Sequence, residues 1–466
     1  MRTLSLGRDF VENMPDILND QAIRDYFFGG SMEQFLILGD GVIPTTGLPR
    51  IDYEKTMVEC ADSVINYVSK RAVDTRTAIS LAHLEFYNIP INLLPTWISR
   101  LASLKSLRIR DGSILGIEAA NAISQYCKAF DELTLYFLDG PTVDEDLATF
   151  LGALRPHTLR SFHIISQNRI GQHTFMAFNE HASSLKSLRL GTLSAAAMGC
   201  LNELANCTAL EVLEIENDSS SQADLRAFRP GVLKEIATWV QNCKSLRVLS
   251  LVGVRDSLFI LNDVLMCPDI HLSTLDVQFL RQFDSREADT TWAALASQQE
   301  LELFSLGANL EQQELFFLSE YPSLVDSICS LKKLRTLDLK QTSVQAREVE
   351  RLIESLPQLS DFGFGGELVT DAILEPLASL PQLETLTINA QSAFTKNGIL
   401  KFGRALQRVG RSIQLEVLGQ LRSLKFSKRE WTELRNFFHD KTRGRIDIGY
   451  FNDTEEHEDD SSDYSD

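Results

Sequence analysis

The chain has 466 residues, of which 44% are hydrophobic and 23% are charged. It can therefore bury a large core, which excludes a disordered polymer and a small disulfide-stapled module. Its 45 basic and 64 acidic residues give a net charge of −19 at pH 7. This charge argues against nucleic acid or an anionic membrane surface as the main partner, because both repel negative charge. A basic protein partner fits the charge better.

The sequence also bears on the compartment in which the protein works. It has no apolar run near the roughly 18 residues that cross a bilayer, and residues 1–10 lack the apolar stretch of a signal peptide. Its seven cysteines are an odd number without a Cys-x-x-Cys pair, whereas an extracellular chain would be expected to pair them. These features predict reduced thiols and a cytoplasmic or nuclear location.

One six-residue pattern, apolar-x-x-apolar-x-apolar, recurs along the chain. Its 15 copies begin at Met1, Met32, Leu81, Leu104, Phe130, Leu159, Leu185, Leu210, Leu246, Leu272, Leu301, Leu334, Leu359, Leu383 and Leu421. Nine of the 14 spacings between successive copies lie between 23 and 29 residues. A step that regular is typical of a repeat protein.

Each copy carries the period of a half-buried strand. Apolar and polar residues alternate at its last positions, as Leu337, Asp338 and Leu339 do. The segment 346–356 that follows has apolar residues at the 3.6-residue spacing of a helix. One strand–helix unit cannot cover its own apolar face, so neighbouring units are expected to stack into a solenoid. The predicted fold class is α/β, with a curved parallel sheet on the concave face and helices on the convex face.

The repeats resemble the leucine-rich-repeat family over residues 1–426. Cys127, Cys207 and Cys243 each stand three residues before the first apolar position of a copy. This placement is similar to the cysteine-containing repeats of F-box/LRR ubiquitin-ligase receptors. We expect the cysteines to be core residues rather than nucleophiles.

The turn after each strand departs from the family pattern. The family's usual Asn is present at Asn309, but other residues occupy the equivalent places: Leu193, Val254, Thr342 and Gln391. The repeats are therefore divergent, and a continuous ladder of Asn side chains is not expected.

The predicted organisation has three parts. Residues 1–426 form an array of about 15 divergent repeats, residues 427–451 form a C-terminal cap of one helix and one strand, and residues 452–466 form an acidic disordered tail. The tail has eight acidic and no basic residues, so it should not collapse, and it could serve as a contact for a basic partner.

The longer spacings between copies predict excursions from the array. Residues 217–231 are rich in Ser, Asp and Gly and are expected to form a surface loop. Residues 53–70 have helical spacing and are expected to belong to one degenerate repeat. Because Met1 already belongs to a copy of the pattern, we expect the natural protein to extend upstream.

No enzyme signature is found. The sequence has no HExxH, GxSxG, P-loop or Cys-x-x-Cys motif. Four histidines fall within 25 residues, namely His157, His163, His173 and His181, but successive positions of a repeat would point them in different directions. We therefore predict no catalytic residue, no cofactor and no metal site.

The polar positions beside the inward apolar residues of each strand are predicted to face the concave opening. The candidate partner-binding residues are Tyr87, Arg108, Arg110, Tyr136, His163, Arg189, Glu214, Glu216 and Asp276. A basic and aromatic stretch thus precedes an acidic one along the chain. Tyr and Arg are enriched at binding hot spots, since they add area and directional hydrogen bonds with little loss of entropy.

Three functions agree with these features. The leading one is a non-enzymatic protein–protein interaction scaffold, the substrate-recognition part of an F-box/LRR-like ubiquitin-ligase receptor. Contact with a ligase adaptor would require an F-box upstream of the first copy. Ran-type GTPase-activating proteins are similar in combining leucine-rich repeats with an acidic tail, which implies a regulator of a small GTPase, although the missing Asn ladder counts against it. Acidic nuclear leucine-rich proteins that handle histones are also similar through the tail, which implies basic partners.

Overall fold

The computed structural model of the protein describes residues 3–6, 52–75, 81–86, 89–218, 225–226, 231–280, 285–308 and 316–450. The chain divides into two compact units, Met1–Leu246 (unit 1) and Arg247–Asp466 (unit 2). Several predictions lie outside the described residues: those for the copy at Met32, for Tyr87, for Asn309, for most of the loop 217–231 and for the tail 452–466.

Unit 1 alternates strands and helices. Its described strands are β1 Thr3–Leu6, β2 His83–Phe86, β3 Ser106–Asp111, β4 Glu132–Phe137, β5 Ser161–Ile164, β6 Ser187–Leu193 and β7 Val212–Asn217. Its described helices are α1 Tyr53–Thr75, α2 Leu93–Ile98, α3 Ile117–Tyr126, α4 Val143–Ala153, α5 Gln172–Phe178, α6 Ala195–Met198 and α7 Val232–Asn242. From β1 to β7, each strand pairs in parallel with the next one in the chain.

Unit 2 has the same alternation. Its described strands are β8 Val248–Val252, β9 Thr274–Leu280, β10 Leu303–Ala308, β11 Phe316–Phe317, β12 Thr336–Ser343, β13 Asp361–Thr370, β14 Thr385–Ala393, β15 Gln414–Gln420 and β16 Arg445–Tyr450. Its described helices are α8 Ser257–Leu265, α9 Ser285–Ala294, α10 Pro322–Ser330, α11 Ala346–Ser355, α12 Leu374–Ser379, α13 Lys396–Arg408 and α14 Lys428–Phe437. Parallel pairing follows the chain from β8 to β16, except that β10 pairs with β12 and the short β11 also pairs with β12.

Within each unit this architecture confirms the predicted α/β leucine-rich-repeat fold class. Leu107 and Ile109 of β3 are buried against the helices, whereas Arg108 between them is exposed. Neighbouring strands lie about 4.8 Å apart, but packed helices need about 8–10 Å between their axes. Stacking therefore opens the helix side of the repeats, which places the strands on the concave face and the helices on the convex face.

The helices bury the apolar stripe that their sequences predict. In α11, Val349 and Leu352 are fully buried. A capping box between Gln345 and Glu348 satisfies backbone groups at the start of this helix. Among the helices that the structure describes, none has both the length and the apolar character that a membrane span requires.

One predicted strand is wrong. The copy at Leu421 leads into a short 3₁₀ turn at Arg422–Leu424, and the strand of this repeat is β15, Gln414–Gln420. The pattern search missed β15 because Ser412 occupies the place of its first apolar residue. Ser412 is exposed and its hydroxyl donates a hydrogen bond to the Arg443 carbonyl oxygen (3.1 Å), while the next residue, Ile413, is buried.

The region predicted as the C-terminal cap contains helix α14 and strand β16. Strand β16 continues the sheet in parallel with β15. Leu434 of α14 and Phe438 after it are fully buried. Ser427 and Glu430 form a capping box at the start of α14, so this helix begins at a defined position.

Candidate functional site

A row of polar side chains crosses the strand face of unit 1. The strand register aligns seven residues side by side, and we call them the central row: Ser5, Glu85, Arg108, Thr134, His163, Arg189 and Glu214. From Glu85 to Glu214, each stands between two buried apolar residues of its own strand. Because side chains alternate along a strand, the central row points away from the core.

Opposite charges on neighbouring strands pair along the central row. Arg108 Nη1 lies 3.9 Å from Glu85 Oε1, and Arg189 Nη2 lies 3.5 Å from Glu214 Oε1. The two arginine side chains remain 47% and 42% exposed, and ion pairs this exposed contribute about 0–1 kcal/mol. A partner can therefore exchange these pairs at low cost. The basic stretch from Arg108 to Arg189 is thus flanked across the sheet by a carboxylate at each end, Glu85 and Glu214.

Tyr136 of β4 is held beside this row. Its hydroxyl donates a hydrogen bond to Glu85 Oε1 (3.2 Å), and its ring centroid lies 5.9 Å from Arg108 Cζ. Burial raises the pKa of Tyr136, and the negative charge of Glu85 raises it further, so the hydroxyl stays protonated and available as a donor. The ring and the guanidinium are thus positioned before any partner arrives.

His163 lies in the middle of the central row and is neutral at physiological pH. Burial lowers the pKa of His163, and the positive charges of Arg189 and Arg108 lower it further. On the neighbouring strand, Thr134 is only 3% exposed although it belongs to the outward-facing set. The larger side chains of Arg108 and His163 flank Thr134 in the register, which accounts for its burial.

Two more predicted residues lie nearer the strand exits of unit 1. Arg110 of β3 places its Cζ 5.8 Å from the ring centroid of Phe137. Glu216 of β7 is exposed, and partial desolvation raises the pKa of its carboxyl. Arg108, Tyr136, His163, Arg189 and Glu214 therefore form the cluster that the structure brings together.

Asp276 lies on β9 in unit 2 and belongs to a separate polar network. Its carboxylate accepts hydrogen bonds from Ser250 Oγ (3.0 Å) and from Gln278 Nε2 (2.8 Å). Gln278 Nε2 also lies 2.5 Å from Ser305 Oγ. The Asp276 side chain is therefore held by residues of its own unit, unit 2.

Three members of the central row, Ser5, Glu85 and Thr134, are absent from the nine candidate residues of the sequence analysis. Ser5 Oγ donates a hydrogen bond to Glu85 Oε2 (2.8 Å), and Thr134 fills the place between Arg108 and His163. Both stand at the fifth position of their copy of the repeat pattern, as Glu85 does. A search by position in the copy, rather than by residue type, would have found them.

The three cysteines that precede strands are buried, as predicted, and link neighbouring repeats. Cys127 Sγ donates to the Leu101 carbonyl oxygen (3.3 Å), and Cys243 Sγ donates to the Cys207 carbonyl oxygen (3.6 Å). Burial raises the pKa of the Cys127, Cys207 and Cys243 thiols to about 12, so they remain protonated donors. Their position in the repeat therefore serves packing between repeats.

This burial predicts an order of thiol reactivity. Iodoacetamide should label the half-buried Cys329 of the native protein before it labels Cys127, Cys207 or Cys243, because the thiolate is the nucleophile and needs solvent access. Mass spectrometry of alkylated peptides, with and without urea, measures the order. Equal native labelling of Cys207 and Cys329 would contradict it.

The four clustered histidines occupy different surroundings. His163 faces the strand side, His173 lies in α5, and His181 is fully buried. His157 Nδ1 lies 2.9 Å from Ser183 Oγ. Across the described parts of the chain, no group of three or more His, Cys, Asp or Glu side chains is arranged to hold a metal ion.

No family model matches the chain, and no curated protein sequence matches it. Among solved structures, the chain is similar to one in the Rad7 and Elc1 complex of yeast, with 15% identity, coverage of 70% of this chain and 82% of that chain, and a TM-score of 0.41. It is also similar to a protein from Bacteroides fragilis, with 12% identity, coverage of 66% and 85%, and a TM-score of 0.33. Likeness in fold at such identity carries no information on activity or partner.

Proposed function

We propose that this protein is a non-enzymatic interaction scaffold and that the strand face of unit 1 binds a protein partner. The central row carries the proposal, because it places polar and charged side chains in register on seven successive strands, with Tyr136 beside them. A protein surface that is already ordered loses less conformational entropy on binding than a mobile one. Tyr136 and Arg108 are ordered in this way by their contacts with Glu85.

The finer proposal is that the array is the substrate-recognition part of an F-box/LRR-like ubiquitin-ligase receptor. Its support is the cysteine that precedes several strands and donates to a carbonyl of the preceding repeat, since cysteine at this position resembles the repeats of those receptors. In that arrangement the strand face would bind the substrate, and a separate F-box would bind the adaptor. All seven cysteines are free thiols, which suits the cytoplasm or the nucleus.

Affinity capture from cell extract tests the interaction role. The full chain is cross-linked to its partners, and recovered proteins are quantified by mass spectrometry for the wild type, Tyr136→Ala and Arg189→Ala. Loss of a hot-spot residue costs about 2 kcal/mol or more, so each variant should recover at least about tenfold less partner. Recovery of adaptor and cullin subunits would support the ligase role, whereas a small GTPase or a histone would favour the other two functions.

Two matched substitutions serve as controls on the other side of the same unit. Tyr126 lies on helix α3 with 40% of its surface exposed, and Lys128 follows that helix as an exposed side chain. Tyr126→Ala and Lys128→Ala should leave partner recovery unchanged. If Tyr136→Ala and Arg189→Ala also leave it unchanged, the strand face of unit 1 is not the binding surface.

A further inference from the structure

A cavity of about 210 Å³ opens on the strand face of unit 1, across β1 to β4. Its ionisable lining residues are His83, Glu85, Arg108 and Glu132. Glu85, Arg108 and Thr134 of the central row line the cavity, so it belongs to the same surface. The charges of its lining decide what the cavity could hold.

The opposite charges of Glu85 and Arg108 neutralise each other within this cavity. Glu85 Oε2 accepts a hydrogen bond from Ser5 Oγ (2.8 Å), and Glu85 Oε1 accepts one from the Tyr136 hydroxyl (3.2 Å). Arg108 Nη1 lies 3.9 Å from the same Oε1 atom. This carboxylate and this guanidinium therefore add no net charge to the cavity.

Glu132 provides the surplus charge. Its side chain is half-buried, and no cation in the described residues pairs with it. Its neighbours in the register are Ser106 on β3 and Ser161 on β5, which cannot neutralise a carboxylate. The Ser106 hydroxyl is in addition bonded to His83 Nδ1 (2.7 Å). One half-buried negative charge thus faces the cavity without a positive partner from the described chain.

Unit 2 independently contains a cavity of the same kind. It also measures about 210 Å³, lies across β14 to β16, and includes Glu416, Arg445 and Asp447. Arg445 Nη2 lies 3.3 Å from Asp447 Oδ2, while Glu416 accepts only a long hydrogen bond from Thr387 Oγ1 (3.4 Å) and pairs with no cation of the described residues. Each unit therefore presents a strand-face cavity with one carboxylate in excess.

We propose that the cavity around Glu132 receives a lysine or arginine side chain of the protein partner. A cationic side chain would neutralise Glu132 and form the charge-assisted hydrogen bonds that the flanking serines do not supply. The net charge of −19 on the whole chain favours the approach of a partner with basic groups. This inference rests on the proposed function, because it specifies the chemistry of a partner on the same face.

Binding of three short peptides to the full chain tests this inference. The probes are acetyl-Gly-Gly-X-Gly-Gly-amide with arginine, lysine or norleucine at X, followed by ligand-observed NMR at physiological ionic strength. The arginine or lysine peptide should bind about tenfold more tightly than the norleucine peptide, and the tighter of the two identifies the side chain. Glu132→Gln should remove this preference.

Two further variants separate a specific contact from general attraction and from misfolding. Glu118→Gln makes the same change of charge at an exposed position on α3 and should leave the preference intact. Glu132→Lys should reverse it, so that a glutamate-centred peptide binds and the arginine peptide does not. An equal loss in Glu118→Gln and Glu132→Gln, or binding of both cationic peptides no tighter than that of the norleucine peptide, would overturn the inference.

The same variants distinguish failure of this inference from failure of the proposed function. If Tyr136→Ala abolishes partner capture but Glu132→Gln leaves it unchanged, the strand face binds the partner without a cation in the cavity. If neither affects capture, the proposed function fails whatever the peptides show.

Discussion

Replacing Gly191 with alanine is expected to destabilise unit 1 by about 3 kcal/mol. An added Cβ at Gly191 in β6 would stand 2.5 Å from the Ile165 carbonyl oxygen and 2.9 Å from that of Ile164. Both oxygens belong to the backbone of the preceding repeat. Relief of the steric clash with the added Cβ therefore requires β5 and β6 to move apart. The Gly191 carbonyl also accepts a hydrogen bond from Asn168 Nδ2 (2.6 Å), which ties Gly191 to the same preceding repeat.

Urea unfolding followed by far-UV circular dichroism measures this loss in free energy of unfolding. Gly152→Ala is the matched control, because an added Cβ in helix α4 meets no described atom within 4 Å. Alanine favours a helix over glycine by up to about 1 kcal/mol, so this variant should be as stable as the wild type or more so. An unchanged unfolding midpoint for Gly191→Ala would contradict the close approach of the two strands.

Most strands could be predicted from the sequence because alternation is a local property. The alternating apolar residues Leu107 and Ile109 predict strand β3 without information from the rest of the chain. Because both face the core, Arg108 between them must face the opposite side of the strand. The prediction failed at β15, where the exposed Ser412 stands at the place of the first apolar residue and the buried apolar residue is Ile413, one position later. A search for one fixed spacing cannot recognise a repeat whose first buried residue is shifted by one position.

The charge pattern of the site could be predicted only in part, because pairing joins residues that are far apart in sequence. Arg108 and Glu85 belong to different copies, and only the register brings them together. The sequence therefore predicts which residues face outward, but it does not show that Glu85 and Glu214 pair with the arginines at the two ends of the basic stretch. Glu132, which pairs with no cation of the described residues, stands out only once its neighbours on both adjacent strands are known.

The residues that stabilise the turns after the strands could likewise not be predicted from the sequence. Thr342 occupies the family's Asn position, and its hydroxyl donates a hydrogen bond to the Leu339 carbonyl oxygen (2.9 Å). In an earlier repeat, Asn168 bonds to the Ser166 and Gly191 carbonyl oxygens instead. Asn168 stands one residue later in its copy than Thr342 does, so neither the residue type nor its position is constant between the turns of these two repeats.

Replacing His181 with leucine is expected to cost about 3 kcal/mol of stability at neutral pH. His181 is fully buried, its Nδ1 accepts a hydrogen bond from the Leu159 amide (3.4 Å), and its Nε2 donates one to the Leu151 carbonyl oxygen (3.2 Å). Leucine can neither accept nor donate, so two buried backbone groups would lose their partners. Urea unfolding of the wild type and of His181→Leu measures the difference.

The cost of His181→Leu should also depend on pH. Burial lowers the pKa of His181, although the bond to Leu151 and the charge of Glu180 oppose this shift. The folded state therefore keeps the ring neutral, while the unfolded chain takes up a proton near its ordinary pKa of about 6.5. Because the unfolded state then binds more protons, the stability that His181 provides is present above about pH 6.5 and is lost as the pH falls towards the folded-state pKa. The advantage of the wild type over His181→Leu should shrink by about 1 kcal/mol between about pH 7.5 and 5.5.

His173→Leu provides the control, since His173 is exposed on helix α5 and its substitution should change stability by less than about 0.5 kcal/mol. The two variants change the same residue type in neighbouring segments, so a difference between them reports on burial. If the gap between the wild type and His181→Leu stayed constant or widened as the pH fell, a neutral, doubly bonded His181 in the core would be contradicted. A gap that narrows with acid while His173→Leu matches the wild type would tie the acid sensitivity of unit 1 to this buried ring.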